Sequence, residues 1–312
     1  MAAYQHQPVL LEEVIKLINP QANQNFIDAT LGGGSYTQAL LGNNGPQGQV
    51  LSFDLDTEAI NAFSEKIKTK QFASRLTVVH DNFANLSKVA MSHGFTKVAG
   101  IVADIGLSSY QLDQSGRGIS FQLNERLDMR FDRTNQAVDA HFIVNNYSLE
   151  RLTELFRTFG EEPFAKNIAG KIVRQRQIGL ITTTEQLVEV IKISLPMPRR
   201  YKWPDHARRI FQALRIAVNH ELENLEQFLP QALDILGTGG ILAIVSFHSL
   251  EDRLVKNFIK AGNVQGKEDK DMFGVVHRPL ESVIRKPITA SEEELKLNPR
   301  SRSAKLRIAS KL

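Results

Sequence analysis

Four short apolar runs in the first third of the chain, each closing on or beside an acid, alternate with segments of helical period. "NFIDATL" ends its apolar run at Asp28, "GQVLSFDLD" at Asp54, "RLTVVHDNF" passes His80 into Asp81, and "VAGIVADIGLSS" reaches Asp104. "SYTQALLG" and "TEAINAFSEKIKT", the latter with Thr57 as the expected N-cap, space their apolar residues three and four apart, as "PVLLEEVIKLI" does ahead of the first run. Strands joined through helices return in the same direction. The pattern therefore predicts a parallel sheet covered by helices on both faces. Ligands of such sheets bind beyond the carboxyl ends of the strands, where these acids fall.

The alternation stops after Asp104. A doubly wound chain turns into its next helix within a few residues of a strand end. Here a loop rich in Gly, Ser and Gln runs from Gln111 to Gln122, followed by the helical segments "LERLTELFRTFG", "EPFAKNIAGKIVRQRQ" and "TTEQLVEVIKISL". Strand-type sequence returns only at "GGILAIVSFHS", after a helical stretch from Ala207 to Leu236 that Pro230 is expected to bend. The reading is an α/β fold in which a helical domain, residues 112–205, is inserted into a sheet domain formed by 1–111 and 206–312. Near the end, "SRSAKLRIAS" reads as a last strand lying antiparallel beside "HRPLESVIRKPI".

Composition narrows the chemistry. With 42% apolar and 23% charged residues in 312, the chain has enough apolar side chains for a substantial core. It has no cysteine, which excludes disulfides, thiolate metal sites, iron–sulfur clusters and a cysteine nucleophile. The histidines are scattered without ligand spacing, so no metal site is expected. No apolar run reaches the ~18 residues needed to span a bilayer, and "MAAYQHQPVLLEEVIKL" has no basic segment leading into an apolar one. A cytoplasmic protein without a membrane partner is expected. The net charge of +4 is compatible with an acidic partner such as nucleic acid.

The turn after the first strand, "DATLGGGSYTQALL", brings three glycines together between a strand and a helix. A glycine-rich turn alone serves as a simple connection as readily as a ligand site. Two features favour the ligand. Asp54, 26 residues after Asp28, stands at the next strand end, where a carboxylate can accept from both hydroxyls of a ribose. The run is neither GxGxxG nor followed by GK[ST], which disfavours a pyrophosphate or a triphosphate. A nucleoside without phosphate, such as that of S-adenosylmethionine, fits better. Phe83, just past the third strand, could flank an adenine or simply fill the core.

The fourth strand opens into "DIGLSSYQLDQSGRGISF", which crowds Gly106, Ser108, Ser109 and Gln111 at the sheet edge, and "LDMRFD" follows soon after. With "HQPVLLEEV", "DATLGGGSYT", "FDLD", "GEEPFAKNIA", "RRIFQALRIAVNHEL", "GGILAIVSFHSLEDR" and "NPRSRSAKLRIA", these stretches run in order over nearly the whole chain. In them the chain resembles the bacterial 16S ribosomal RNA cytosine N4-methyltransferase family, which modifies cytidine 1402. The resemblance implies a class I (Rossmann-like) methyltransferase sheet with an inserted helical domain. It implies S-adenosylmethionine as cofactor and 16S rRNA in the small ribosomal subunit as partner, and it is compatible with a homodimer. The family's cofactor loop usually reads GGGGH. Gly32-Gly33-Gly34-Ser35-Tyr36 departs at its last two places, which keeps main-chain contacts and loses the histidine side chain. The cofactor residues so implied are Gly34, Ser35, Tyr36, Asp54, Phe83, Asp104 and Gln111.

The implied reaction places a methyl group on an exocyclic amine whose lone pair is delocalised into the ring. An enzyme must hold that amine in line and accept hydrogen bonds from it, so that the lone pair localises on nitrogen. Asp104 is the first candidate acceptor, with a cofactor-binding role as its alternative; Ser108 and Ser109 come next. His248 reaches the same sheet edge, where a lone histidine is more often structural. For RNA, "PRRYKWPDHARRIFQALR" offers Arg199, Arg200, Lys202, Arg208, Arg209 and Arg215 with Tyr201 and Trp203, and "NPRSRSAKLR" adds Arg300, Arg302, Lys305 and Arg307. The plainer reading of both is a solvated surface. Two other functions compete: a nicotinamide-dependent oxidoreductase, which the missing GxGxxG disfavours, and a non-catalytic RNA-binding factor, for which the altered Ser35 and Tyr36 leave room.

Overall fold

The computed structural model describes residues 8–67, 72–107, 111, 116–271 and 276–312. The chain folds into two compact units, Met1–Gly106 with Leu222–Leu312, and Leu107–Glu221.

The first unit is built on a seven-stranded sheet. Its strands in chain order are β1 (Phe26–Asp28), β2 (Val50–Asp54), β3 (Leu76–His80), β4 (Val98–Asp104), β5 (Leu236–Ser246), β8 (Leu280–Ser282) and β9 (Lys305–Lys311). They lie in the order β3-β2-β1-β4-β5-β9-β8; the first five are parallel and β9 runs antiparallel to both of its neighbours. A separate two-stranded ladder pairs β6 (Asp269–Lys270) with β7 (Val276–His277). This is the class I methyltransferase sheet that the resemblance implied, and "SRSAKLRIAS" is the antiparallel strand expected beside "HRPLESVIRKPI".

Alternation along the strands assigns side chains to two faces. Ile27, Leu51, Phe53, Ile101 and Ile244 join one buried cluster with Leu86 of α4 (Leu86–Ser92), Phe228 of α10 (Glu221–Ile235) and Phe258 of α11 (Ser249–Ala261). Phe26, Val50, Val102 and Val245 join another with Val14 of α1 (Leu11–Ile18) and Leu40 and Leu41 of α2 (Ser35–Asn43). Each such side chain removed from water contributes roughly 1.5–3 kcal/mol, and covering both faces is what makes the parallel arrangement stable. Helix α3 (Thr57–Ile67) starts one residue earlier than expected. Asp56, not Thr57, caps it, accepting the Glu58 amide at 3.0 Å.

The second unit is helical: α5 (Ala140–Asn146), α6 (Leu149–Thr158), α7 (Ala165–Ile178), α8 (Thr184–Ser194) and α9 (Trp203–Asn219). Phe156, Ile168, Ile172, Leu187, Ile191, Ile210 and Leu214 fill its own core. Asp139 and Ser148 cap α5 and α6, and Thr183 with Gln186 forms a capping box on α8. The unit extends beyond residue 205 because α9 packs into this core. The long helical stretch is two helices, and it breaks at His220 rather than at Pro230. His220 adopts φ 53°, ψ 39° and ends α9, while Pro230 sits inside α10. Asn219 holds the break, donating to the Met129 carbonyl and accepting the Phe131 amide, both at 2.8 Å.

Candidate active site

The strand register creates the site. Asp28, last in β1, pairs with Ser52 of β2 on one side and Val102 of β4 on the other. Both neighbours continue two residues further, to Asp54 and Asp104. The edge of the parallel part of the sheet is thus notched at its middle strand, with a recessed, fully buried Asp28 and a carboxylate on either rim. The chain leaving β1 crosses this notch. The Ala29 amide bonds the Val102 carbonyl at 2.8 Å and the Leu31 amide the Phe53 carbonyl at 2.7 Å. The rim acids are tied to that crossing segment: Asp54 accepts the Gly32 amide at 2.7 Å, and the Asp104 amide donates to the Thr30 hydroxyl at 2.7 Å. Thr30 went unnoticed in the sequence, where only its place two residues past a strand end could have marked it.

Crowding three acids in a partly dry notch has an electrostatic consequence. Burial pushes Asp28 up to about 7, against hydrogen bonds from Thr37 and Thr30 that favour its charged form; the Asp54 charge raises it further. Burial likewise lifts Asp54 to about 6 despite the amides it accepts. Asp104 rises to about 7 through burial, with Asp28 and Glu251 adding repulsion and the Gly106 amide opposing. A cationic ligand in the notch would relieve this repulsion.

The glycine turn is shaped by its own unit. Gly34 sits at φ +73°, and a Cβ there would fall 2.0 Å from Cε2 of Phe63 in α3. Its bare backbone is therefore demanded from behind by Phe63, a requirement separate from any ligand in front. The first intrahelical bond of α2 runs from the Gln38 amide to the Gly34 carbonyl at 2.9 Å. The Ser35 and Tyr36 amides precede it, at the positive end of the helix dipole.

The remaining sequence candidates are distributed as follows. The Tyr36 ring is buried among Val9, Leu10 and Val14, its hydroxyl donates to the Val9 carbonyl, and burial holds the phenol well above its usual range. Only its main chain remains for a ligand. Phe83 is half-buried, its ring edge-on to Phe228 at 5.2 Å between centroids, which leaves part of its surface open. His248 caps α11: it accepts the Glu251 amide, and Glu251 accepts the Phe247 and His248 amides in return. That role is structural. Gln111 is half-buried and belongs to the second unit. Ser108 and Ser109 lie outside the described residues. Glu251, which the sequence did not single out, couples this cap to Asp104 through charge.

A family model described as the MraW methylase family matches residues 3–312. The chain belongs to that family. A "Ribosomal RNA small subunit methyltransferase H" from Heliobacterium mobile is 42% identical to it, with 99% of both chains covered. One of the same name from Amoebophilus asiaticus is 43% identical over 97% of this chain and 94% of its own.

A methylase of this family draws its methyl group from S-adenosylmethionine, and the donor set fits that molecule. The carboxylate of Asp54 keeps lone-pair capacity for ribose hydroxyls beyond the Gly32 and Asp56 amides it already accepts. The Gly32–Gly34 backbone and the first-turn amides of α2 suit the methionine carboxylate, and the acidic notch suits the sulfonium charge. The Gly32–Gly34 run, with no GK[ST] after it, lacks the lysine that a triphosphate cradle needs.

The basic stretches are only partly free. Arg208 pairs with Asp205 at 3.1 Å, Arg209 with Glu162 at 3.7 Å, and Arg215 with Glu221 at 2.8 Å. Trp203 packs edge-on against Phe121 and lies under the Lys192 ammonium. Arg199, Arg200, Lys202 and Tyr201 are exposed. In the other stretch, Lys305 and Arg307 are held by Asp252 at 3.1 and 2.6 Å.

Proposed function

We propose that the protein transfers the methyl group of S-adenosylmethionine to N4 of cytidine 1402 in 16S rRNA, acting in the cytoplasm on the small ribosomal subunit. The observation that carries the reading is the notch, where the Asp54 and Asp104 carboxylates stand either side of the recessed Asp28 beneath the glycine turn. The full-length relatives named for the small-subunit rRNA support it.

In this reading Asp54 holds the ribose, Phe83 flanks the adenine, and the backbone at Gly34, Ser35 and Tyr36 holds the methionine end. Asp104 accepts a hydrogen bond from the cytosine amine; as nitrogen gains positive charge in the transition state that bond strengthens, which is the differential stabilisation catalysis requires. Ser108 or Ser109 takes the acceptor role if Asp104 instead contacts the cofactor. The target base must leave its stack to reach the methyl group, and the exposed Arg199, Arg200, Lys202 and Tyr201 offer phosphate and stacking contacts to the surrounding strand. A homodimer is compatible with this reading and is read out by sedimentation.

The test is transfer of labelled methyl from S-adenosylmethionine to small subunits purified from cells lacking the enzyme, with the modified base identified by mass spectrometry. Label on N4 of cytidine is expected. Cofactor binding without transfer to any RNA would favour the non-catalytic binding factor.

A further inference from the structure

At the edge of the sheet opposite β3, α11, β8, β9 and the segment around Arg285 enclose a groove of about 810 Å³. Its walls carry Lys256 and Lys260 of α11 with Arg278 and Arg285 of the later stretch 277–288; Glu281 is the one acid among its lining residues. Glu268 faces Lys260, Lys270 and Arg278 together, at 3.2, 3.5 and 3.6 Å, so one carboxylate is shared among three cations. Lys256 and Arg285 are exposed and make no ion pair among the described residues. Ile259, Leu280 and Ile308 line the groove with apolar surface.

We infer that this groove binds the phosphate backbone of the RNA substrate, an inference that rests on the RNA-methylating reading above. Lys256 and Arg285, unpaired among the described residues, and Lys260 and Arg278, which share the one Glu268 carboxylate, place several donors around one polyanionic strand along a concave surface, and the apolar lining accepts sugar and base edges. A flat anionic membrane would meet these cations only at the rim of the concavity. Arg307 lines the groove too, but its bond to Asp252 commits it to shaping the floor.

The test compares full-length wild type with the triple variant Lys256→Ala/Arg278→Ala/Arg285→Ala, measuring binding to unmodified small subunits over a salt series. With three phosphates no longer neutralised, the slope of log affinity against log salt should fall by about 2 and binding should weaken at least tenfold at low salt. Cofactor affinity and transfer at saturating subunit should be unchanged. A charge-conserving variant, Lys256→Arg/Arg278→Lys/Arg285→Lys, should keep the wild-type slope, and so should Lys16→Ala/Lys66→Ala/Lys88→Ala, which removes the same charge elsewhere. An unaltered slope in the first triple overturns the inference. Loss of binding to phosphatidylglycerol vesicles with an unaltered subunit slope overturns it in favour of a membrane. If wild type binds subunits through the groove but transfers no methyl group, the methylation reading fails and the groove stands as an RNA site.

Discussion

The Asp54 carboxylate accepts the amide of Gly32 across 2.7 Å, so the strand-end acid and the glycine turn hold each other in place. Asp54→Ala should therefore cost twice, removing an acceptor for the ribose and loosening the turn. A loss of about 1.5–3 kcal/mol in S-adenosylmethionine binding is expected by calorimetry. Wild-type affinity in a folded variant would remove Asp54 from the site.

Asp104→Asn keeps size and one acceptor oxygen but removes the negative charge. Single-turnover transfer should fall about 100-fold or more, with cofactor affinity nearly unchanged. Because Asp104 ionises at about 7 in the free protein, kcat/KM should rise with pH through that region, and the variant should lose this acidic limb. A limb that survives belongs to Asp28 or Asp54. Lost cofactor binding with near-normal transfer at saturation would make Asp104 a cofactor ligand.

Asp28 links the notch to stability. Its folded pKa of about 7 lies above the ordinary carboxylate value of 3.8, so between those values the folded state holds a proton that the unfolded state has released. Stability from this group is complete below pH ~4 and is lost as pH rises toward ~7. Asp28→Asn should flatten that decline and stabilise the ligand-free protein at pH 7.5 by about 1–3 kcal/mol, less than the full shift because the unfolded chain retains structure. Denaturant melts at pH 5 and 7.5 that change in parallel for variant and wild type would refute it.

Gly34→Ala forces a methyl group against the Phe63 ring at positive φ. We expect a destabilisation of about 2 kcal/mol or more. Made in a Phe63→Ala background, whose own cavity cost is measured separately, the same change should cost only the backbone part of about 1 kcal/mol. An equal cost of Gly34→Ala in both backgrounds would mean that the turn itself, not the ring, sets the cost.

Arg199→Ala/Arg200→Ala/Lys202→Ala should lower the salt slope of subunit binding by about 0.7 for each phosphate no longer neutralised. Arg208→Ala and Arg215→Ala, whose partners are Asp205 and Glu221, should leave it unaltered. Equal effects from both sets would mean that only net charge matters.

The sheet was legible because its signals are local: an apolar run, an acid, a turn, a helix. The acids at 28, 54 and 104 could be placed on one edge from strand direction alone. Their staggering could not, since it depends on which residue of β1 pairs with which of β2 and β4. Tyr36 looked like a ligand contact by its place in a motif; its inward turn is decided by the Val9 carbonyl, far away in sequence. The helix break at His220 escaped because Pro230 was the louder local signal, whereas the stop is fixed by tertiary bonds from Asn219 to Met129 and Phe131. The cationic groove was invisible for the same reason: Lys256, Arg278 and Arg285 belong to no single stretch.

The paired strands β4 and β5 lie on opposite sides of the helical unit in the sequence. During synthesis, β3, β2, β1 and β4 can assemble as soon as they emerge, but the free edge of β4 then waits for the whole of 107–221 to be made before β5 can cover it. That edge, Val98–Asp104, is mostly buried in the finished sheet. The nascent half-sheet thus carries an open, apolar template for pairing with other chains. A helical unit with its own core limits the wait, because once folded it no longer behaves as a long flexible loop. Destabilising that core should lower the yield of soluble protein at high expression temperature more than it lowers the activity of the molecules that fold.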